Sequence, residues 1–150
     1  NNMAHSLMLT GALLGSHVAV ASPHGYMPKE SVVRTVHEIA QKTGATVEIT
    51  DSVTEAASGA QYLYTDVWAS MGQEEEAAKR INAFRGYTIS MDLIQNHAPE
   101  AKVMHCLPAH RGEEIEDEVM ESRTHSIIFD QAENRLHIQK AIMSALMVKE

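Results

Sequence analysis

The 150-residue sequence lacks the features that mark several specialised classes of protein. It has one cysteine, Cys106, which excludes an internal disulfide and favours a reducing compartment. No apolar run approaches the roughly eighteen residues that a membrane span needs, and the basic-then-apolar pattern of a secretory signal is missing. These absences predict a cytoplasmic protein without a membrane partner.

Positive charge is also scarce. Twelve Lys and Arg residues stand against 20 Asp and Glu residues, and the formal net charge is -8. Binding to nucleic acid depends on clustered Lys and Arg, so nucleic acid is not a predicted partner. The acidic runs at 74–76 and 113–122 are interpreted as solvated helix faces or first turns of helices. None of the nine histidines forms a pair at metal-ligand spacing beside a third ligand, and no metal site is predicted.

The spacing of apolar residues alternates between helical and strand periods along the whole chain. Two helices are expected to stop at Gly15 and Gly44, and a short helix is expected to be capped by Asp51. The pattern predicts a doubly wound parallel α/β sheet of Rossmann type, a three-layer sandwich with helices on both faces. Predicted strands are 17–21, 46–50, 61–65, 87–90, 102–106 and 126–130. Predicted helices are 3–15, 29–44, 51–59, 74–84, 91–98, 115–122 and 132–148.

The first predicted element is a helix, with no strand before it. In a doubly wound sheet the strand that feeds the first helix is normally central, and its carboxyl end borders the ligand crevice. The sequence therefore predicts a sheet that lacks its first strand.

Three polar groups are expected at the carboxyl edge of this sheet, where such folds bind ligands. Asn2 starts the first helix, residues 66–72 follow one strand, and residues 105–108 follow another. Each group has a simpler interpretation. Asn2 could cap its helix, Asp66 could cap a turn, and Cys106 could be an inert buried thiol.

Taken together, these groups suit a small zwitterion better than a nucleotide. The Asp66 carboxylate, the Ser70 hydroxyl, the backbone N–H near Met71 and the Asn2 amide could hold an ammonium and a carboxylate. No G-x-G-x-x-G is present, which argues against a dinucleotide. A Cys–His protease is also disfavoured, because adjacent strand residues such as His105 and Cys106 point to opposite faces.

Four stretches carry a resemblance to a known family. Residues 66–74 (DVWASMGQE) resemble the D-x-x-x-S-M-G loop of ornithine carbamoyltransferases, and residues 105–114 (HCLPAHRGEE) resemble their H-C-L-P motif. Residues 1–8 (NNMAHSLM) resemble a segment that follows a strand ending in Asp-Gly, and residues 132–147 (AENRLHIQKAIMSALM) resemble the C-terminal helix. The chain is similar to that family over essentially its whole length.

The resemblance implies a role for specific residues. Full-length members have a domain for carbamoyl phosphate and a domain for ornithine, form trimers, and transfer a carbamoyl group to ornithine without metal or organic cofactor. Asn2, Asp66, Ser70 and Met71 would bind L-ornithine, and Cys106, Leu107 and Arg135 would contact carbamoyl phosphate. Asp66 and Cys106 would be catalytic, Met71 and Gly72 would belong to a closing loop, and His105 would be structural first.

The family's Ser-Thr-Arg-Thr-Arg motif for carbamoyl phosphate is absent. Residues 1–150 are therefore expected to be the ornithine domain alone, without the N-terminal carbamoyl-phosphate domain and inactive by themselves. Two alternatives remain open at this point. The acceptor could be another amine, such as putrescine or an acylated ornithine, or the chain could be a non-catalytic amino-acid-binding or structural module.

Overall fold

Helices and strands alternate through the computed structural model, which describes residues 2–69 and 74–147 except for the side chains of Glu74 and Glu75. The elements are α1 (Asn2–Leu13), β1 (His17–Ala21), α2 (Glu30–Thr43), β2 (Thr46–Thr50), α3 (Val53–Ala57), β3 (Tyr62–Thr65), α4 (Glu74–Ala83), α5 (Met91–His97), β4 (Lys102–His105), α6 (Asp117–Met120) and α7 (Ile128–Met147).

All strand pairs are parallel. β1 pairs with β2, with His17 opposite Thr46, and β3 pairs with β4, with Thr65 opposite His105. Over the described ranges, the two pairs are not hydrogen-bonded to each other. The predicted α/β class with parallel strands is confirmed.

Two apolar clusters form the core. The first lies where α1 and α2 cover β1 and β2, and the second surrounds β3 and β4 with α3, α5, α6 and the start of α7. Both arise because the apolar stripe of each helix faces a strand pair. The buried members of the first cluster are Met8, Ala12, Val36, Ala40, Ala45 and Val47. Those of the second include Leu63, Leu93, Ile94, Val103, Ile115, Val119 and Ile128.

Helix α1 approaches β1 unusually closely at one glycine. A Cβ atom added at Gly11 would overlap Cγ2 of Val18 on β1. The missing side chain therefore sets how deeply α1 sits on the strand. Helix α2 ends at Gly44, as predicted, where a left-handed φ of 78° lets the backbone N–H bond to the carbonyl of Ala40.

Two predicted strands are wrong. Residues 87–90 form only an isolated bridge, in which Ile89 pairs with Ile115. Residues 126–130 pair with β4 only at their start, where Ile127 donates to the carbonyl of Val103. The chain then turns into α7 at Ile128, because Asp130 in the first turn and the helical spacing that follows favour a helix over a further strand residue.

The predicted cap of α3 is displaced by one residue. Ser52, not Asp51, is the N-cap, and its hydroxyl accepts from the backbone N–H of Glu55 at 3.2 Å. Asp51 instead pairs with His24 at 2.9 Å and accepts the Tyr87 hydroxyl on its carbonyl. Helix α6 is also shorter than the predicted 115–122, since Ile115 belongs to the isolated bridge.

Helix α7 leaves the core after its first turn. Ile128 is its one buried residue within 128–147. Leu136, Ile138, Ile142 and Met143 are each more than half exposed. None of the helices in the described ranges is long and apolar enough to cross a membrane.

Candidate functional site

Asp66 and Cys106 lie side by side at the carboxyl ends of β3 and β4. Thr65 is opposite His105 in the parallel register, so the next residue of each strand leaves the sheet at the same point. The Cys106 thiol donates to Oδ1 of Asp66 at 3.0 Å. The same oxygen accepts the backbone N–H of Val67 at 2.8 Å. Two of the predicted site residues are thus in direct contact, and the carboxylate is oriented by its own backbone.

The environment of Cys106 disfavours its thiolate. Burial, followed by the hydrogen bond and the charge of Asp66, raises the pKa of the Cys106 thiol to about 11, against a smaller opposing effect of Tyr64. The group is therefore a thiol at neutral pH and acts as a hydrogen-bond donor to Asp66. A reactive cysteine nucleophile would need an environment that lowers the pKa of its thiol.

A cleft of about 800 Å³ opens beside this pair. Its walls come from β3, β4, the N-terminus of α1 and the first half of α7, and they include Cys106 and Arg135. Met3 lines the cleft, whereas the neighbouring Asn2 does not and is exposed. The structure therefore brings Asp66, Cys106 and Arg135 to one edge and leaves Asn2 at its margin.

The remaining predicted residues are elsewhere or outside the described ranges. Leu107 is half-buried and packs against the second core cluster instead of lining the cleft. Its φ of 58° is the one positive value at a non-glycine residue in the described parts of the chain. Ser70, Met71 and Gly72 lie outside the described residues.

His105 stabilises the turn at Leu107, just after the carboxyl end of β4. Its Nδ1 accepts the backbone N–H of Leu107 at 2.8 Å, and its Nε2 lies 3.1 Å from Oε1 of Glu114. Because Nδ1 accepts, the ring proton is on Nε2 and is donated to Glu114. Both ring nitrogens bond to groups other than the Cys106 thiol. His105 is therefore not placed to act as a base for Cys106. A structural role for His105 fits these contacts.

Glu114 corrects the interpretation of the acidic run 113–122 as a solvated face. Its side chain is fully buried, as is that of His105. Burial acts to raise the pKa of the Glu114 carboxyl, but the hydrogen bonds from His105 and from the backbone N–H of His110 outweigh it and lower the pKa below its ordinary value. The pair is therefore a buried carboxylate with a neutral imidazole donor.

One group in the described ranges has ligand atoms near enough to hold a metal ion. The donor atoms of His110, Glu113 and Glu114 lie within 4.8 Å of one another. Oε1 of Glu114 already accepts from His105 and from the backbone N–H of His110 at 2.6 Å. Oε1 of Glu114 is therefore engaged in the support of the turn.

Sequence reasoning missed Tyr64 and Gln131. Nε2 of Gln131 donates to the Tyr64 hydroxyl at 3.3 Å, and the backbone N–H of His105 donates to Oε1 of Gln131 at 3.0 Å. Tyr64 precedes Asp66 by two residues, and the two-residue period of a strand could have placed it on the same face. Gln131 carried no such signal, because it lay at the edge of a mispredicted strand.

An aromatic cluster secures the residues that follow Asp66. Trp68 is 9% exposed and stacks on Phe84, with ring centroids 5.9 Å apart. Phe84 also meets Tyr26 and Tyr87 edge-on. Nη1 of Arg80 donates to the Trp68 carbonyl at 3.3 Å. The chain beyond Asp66 is therefore tied to α4 and to the turn after β1.

Comparison with known proteins agrees with this geometry. The model of the family described as aspartate/ornithine carbamoyltransferase, Asp/Orn binding domain, matches residues 1–146. An ornithine carbamoyltransferase of Acidothermus cellulolyticus is 55% identical over 147 residues, which are 98% of this chain and 47% of the relative. The chain thus spans about half the length of the curated relatives it matches.

Solved structures show the same similarity. The ornithine carbamoyltransferase of Gloeobacter violaceus superimposes with a TM-score of 0.85 at 50% identity, over 97% of this chain and 47% of that one. An N-acetyl-L-ornithine transcarbamylase mutant superimposes with a TM-score of 0.82 at 27% identity, over 96% of this chain and 44% of that one. The chain belongs to the aspartate/ornithine carbamoyltransferase family and corresponds to its Asp/Orn-binding domain.

Proposed function

We propose that residues 1–150 are the L-ornithine-binding domain of an ornithine carbamoyltransferase, which converts carbamoyl phosphate and L-ornithine to L-citrulline and phosphate. The observation that carries the proposal is the contact between Asp66 and Cys106 at a cleft that Arg135 also lines. A relative of that name, 55% identical over nearly the whole chain, supports it.

The proposed reaction requires a neutral amine. The δ-ammonium of ornithine loses a proton, and its nitrogen bonds to the carbonyl carbon of carbamoyl phosphate. The nitrogen then loses a second proton, the bond from that carbon to the phosphate oxygen breaks, and the released phosphate takes up one proton. Asp66 and Cys106 are suited to position the amine and to relay its proton. The guanidinium of Arg135 is suited to neutralise charge on the phosphate. Orientation and charge stabilisation supply the rest of the rate enhancement.

The remaining binding residues are part of the same proposal. Asn2, Ser70 and Met71 are proposed to join Asp66 in binding the amino-acid end of ornithine. Leu107, next to Cys106 in sequence, is proposed to contact carbamoyl phosphate together with Cys106 and Arg135. No metal or organic cofactor takes part. The complete enzyme is a cytoplasmic homotrimer, a proposal that rests on the family resemblance and, for the compartment, on the single cysteine.

The carbamoyl-phosphate domain is proposed to lie outside residues 1–150, so the isolated chain is expected to form no citrulline. The measurement is a colorimetric citrulline assay on the purified 150-residue chain, run beside the full-length protein at equal concentration. Absence of activity in the chain and turnover in the full-length protein are expected. Citrulline formation by the chain alone would contradict the division of the site.

Replacement of Cys106 by alanine is expected to raise the KM for ornithine and lower kcat in the full-length enzyme, because the thiol lies against the carboxylate that positions the amine. Steady-state kinetics with each substrate varied separately would measure both effects. His17→Ala is the control, since His17 is exposed on the distant pair β1–β2. Unchanged kinetics in the Cys106 variant would remove this residue from the site.

A second acceptor remains a candidate because of one observation. The fold is shared with a protein named N-acetyl-L-ornithine transcarbamylase, so the fold does not decide between a free and an acylated α-amine. Carbamoylation of ornithine, N-acetylornithine and putrescine by the full-length protein would separate these acceptors. Calorimetric titration of the isolated chain with ornithine and norvaline would test the remaining alternative, a binding module without catalysis.

A further inference from the structure

We infer that Gln131 is the positioning residue of α7: its side-chain amide bonds to the carboxyl end of β4 and to β3, and thereby sets where Arg135 lies at the cleft. The partners are the backbone N–H of His105 at 3.0 Å and the Tyr64 hydroxyl at 3.3 Å. Neither Gln131 nor Tyr64 carries a role in the proposed function. The inference rests on that function for the role of Arg135, whereas the placement of α7 rests on these contacts alone.

The bond to His105 replaces one that a further strand would have made. The segment before α7 runs beside β4, where the Val103 N–H donates to the carbonyl of His125 and the Ile127 N–H donates to the carbonyl of Val103. In a parallel ladder the next donor, the N–H of His105, would bond to the carbonyl of Ile127. That carbonyl instead accepts the backbone N–H of Gln131, because the helix has begun. The side-chain oxygen of Gln131 serves as the acceptor in its place.

The Gln131 amide can make these bonds in only one orientation. The His105 N–H is a donor, so the atom that faces it is the amide oxygen. The amide nitrogen then faces the Tyr64 hydroxyl, and because that nitrogen has no acceptor capacity, the hydroxyl oxygen accepts. One side chain thus joins α7 to both of the strands that lead into Asp66 and Cys106.

These two bonds hold the exposed part of α7 against the strands. Gln131 is half-buried, whereas every residue from 132 to 147 is exposed. Over the described length of α7, the side-chain hydrogen bonds that leave the helix are the two made by Gln131, and those of Asn134 and His137 stay within it. The position of the later turns therefore depends on Gln131.

Arg135 lies one helical turn after Gln131, and residues four apart share a face of a helix. Both line the cleft of about 800 Å³ together with Cys106. Among the described residues, Arg135 has no hydrogen-bond or ion-pair partner. Its place at the cleft is therefore set by the helix that carries it, and a displacement of α7 moves the guanidinium with it.

Amide hydrogen exchange of the 150-residue protein, followed by nuclear magnetic resonance, tests the placement of α7 without turnover. Gln131→Leu removes both bonds and is expected to accelerate exchange at the His105 N–H about two- to tenfold, the equivalent of one lost hydrogen bond. The amides of residues 135–139 should accelerate as well, because a helix that loses its tertiary contact is marginal in water. The Val103 N–H, bonded to the carbonyl of His125, should keep its rate.

Two results of the exchange measurement would overturn the inference. Unchanged rates at His105 or at residues 135–139 would mean that Gln131 does not hold the helix. Equal acceleration at His105 and Val103 would mean that the substitution lowers stability throughout the protein. Gln131→Glu, whose carboxylate can accept from the His105 N–H and from the Tyr64 hydroxyl, should return the rates toward the parent values.

Steady-state kinetics of the full-length protein tests the consequence for Arg135. Gln131→Leu is expected to raise the KM for carbamoyl phosphate about two- to tenfold. The KM for ornithine should change by less than about twofold, because Arg135 is proposed to contact carbamoyl phosphate and not ornithine. A lower kcat with both KM values unchanged is the result of a smaller folded fraction, and it would overturn the inference.

Gln139→Leu is the matched control, since it makes the same change on the same helix at an exposed residue that does not line the cleft. Its exchange rates and KM values should equal those of the parent. If Gln131→Leu does not fold, Gln131→Asn takes its place, because its side chain is one methylene too short for both bonds. If the unmodified full-length protein forms no citrulline, the proposed function fails, and the exchange rates still decide whether Gln131 positions α7.

Discussion

Replacement of His105 by alanine is expected to lower the free energy of unfolding by about 3–5 kcal/mol, the cost of leaving a buried charge without its partner. His105 and Glu114 are both fully buried, and the Glu114 carboxylate has its pKa lowered below the ordinary value by their hydrogen bond despite burial. Alanine also removes the acceptor of the Leu107 N–H, which holds a left-handed backbone. Equilibrium urea unfolding followed by far-ultraviolet circular dichroism would measure the change.

His137→Ala is the matched control for this prediction. His137 and Glu133 form the same kind of pair on α7 at 3.2 Å, but both side chains are more than half exposed. An exposed pair contributes about 0–1 kcal/mol, so the control should unfold close to the parent protein. Glu114→Gln added to His105→Ala should recover part of the loss by removing the buried charge. An equal decrease in the free energy of unfolding in His105→Ala and His137→Ala would show that burial of the pair does not contribute to stability.

Replacement of Gly11 by alanine is expected to lower the free energy of unfolding by about 1–3 kcal/mol through overpacking. The added methyl would overlap Cγ2 of Val18, so either α1 must move off β1 or Val18 must change rotamer. Alanine is otherwise a better helix former than glycine by up to about 1 kcal/mol, and the clash must exceed that gain. The same unfolding measurement applies.

The control for Gly11→Ala is a double-mutant cycle with Val18→Ala. Val18→Ala removes the atom that the new methyl would meet, so Gly11→Ala should cost far less, or stabilise α1, in that background. If Gly11→Ala lowers the free energy of unfolding equally in both backgrounds, the contact between α1 and β1 does not limit the size of the side chain at residue 11.

The parallel α/β fold was predictable because the apolar periods of a helix (about 3.6 residues) and of a strand (about 2 residues) are local patterns. Helices α1 and α2 and strands β1, β2 and β4 formed where these patterns occur. The prediction failed at residues 126–130, where the backbones of His125 and Ile127 bond to Val103 of β4 as a strand would before α7 begins at Ile128. A short apolar run has no period long enough to separate the two outcomes. Asp130 in the first turn and the helical spacing of the residues that follow favour the helix.

The candidate site was predictable where it depended on strand ends. Asp66 and Cys106 follow parallel strands, and the sheet geometry alone predicts that they meet. Glu114 was not predictable, because charge in an acidic run is usually solvated and its buried partner, His105, is nine residues earlier. Tyr64 and Gln131 were missed for a related reason: their contact joins residues 67 positions apart, and no local pattern encodes it.

Two residue types that occur once each in the sequence lie on either side of Asp66. Trp68 follows it by two residues and is stacked on Phe84, and Cys106 is hydrogen-bonded to it. The protein therefore carries an intrinsic fluorophore and a unique labelling position at the same strand ends. Emission from Trp68, with or without an acceptor dye on Cys106, would report on this edge of the sheet alone, without competing signals from other indoles or thiols.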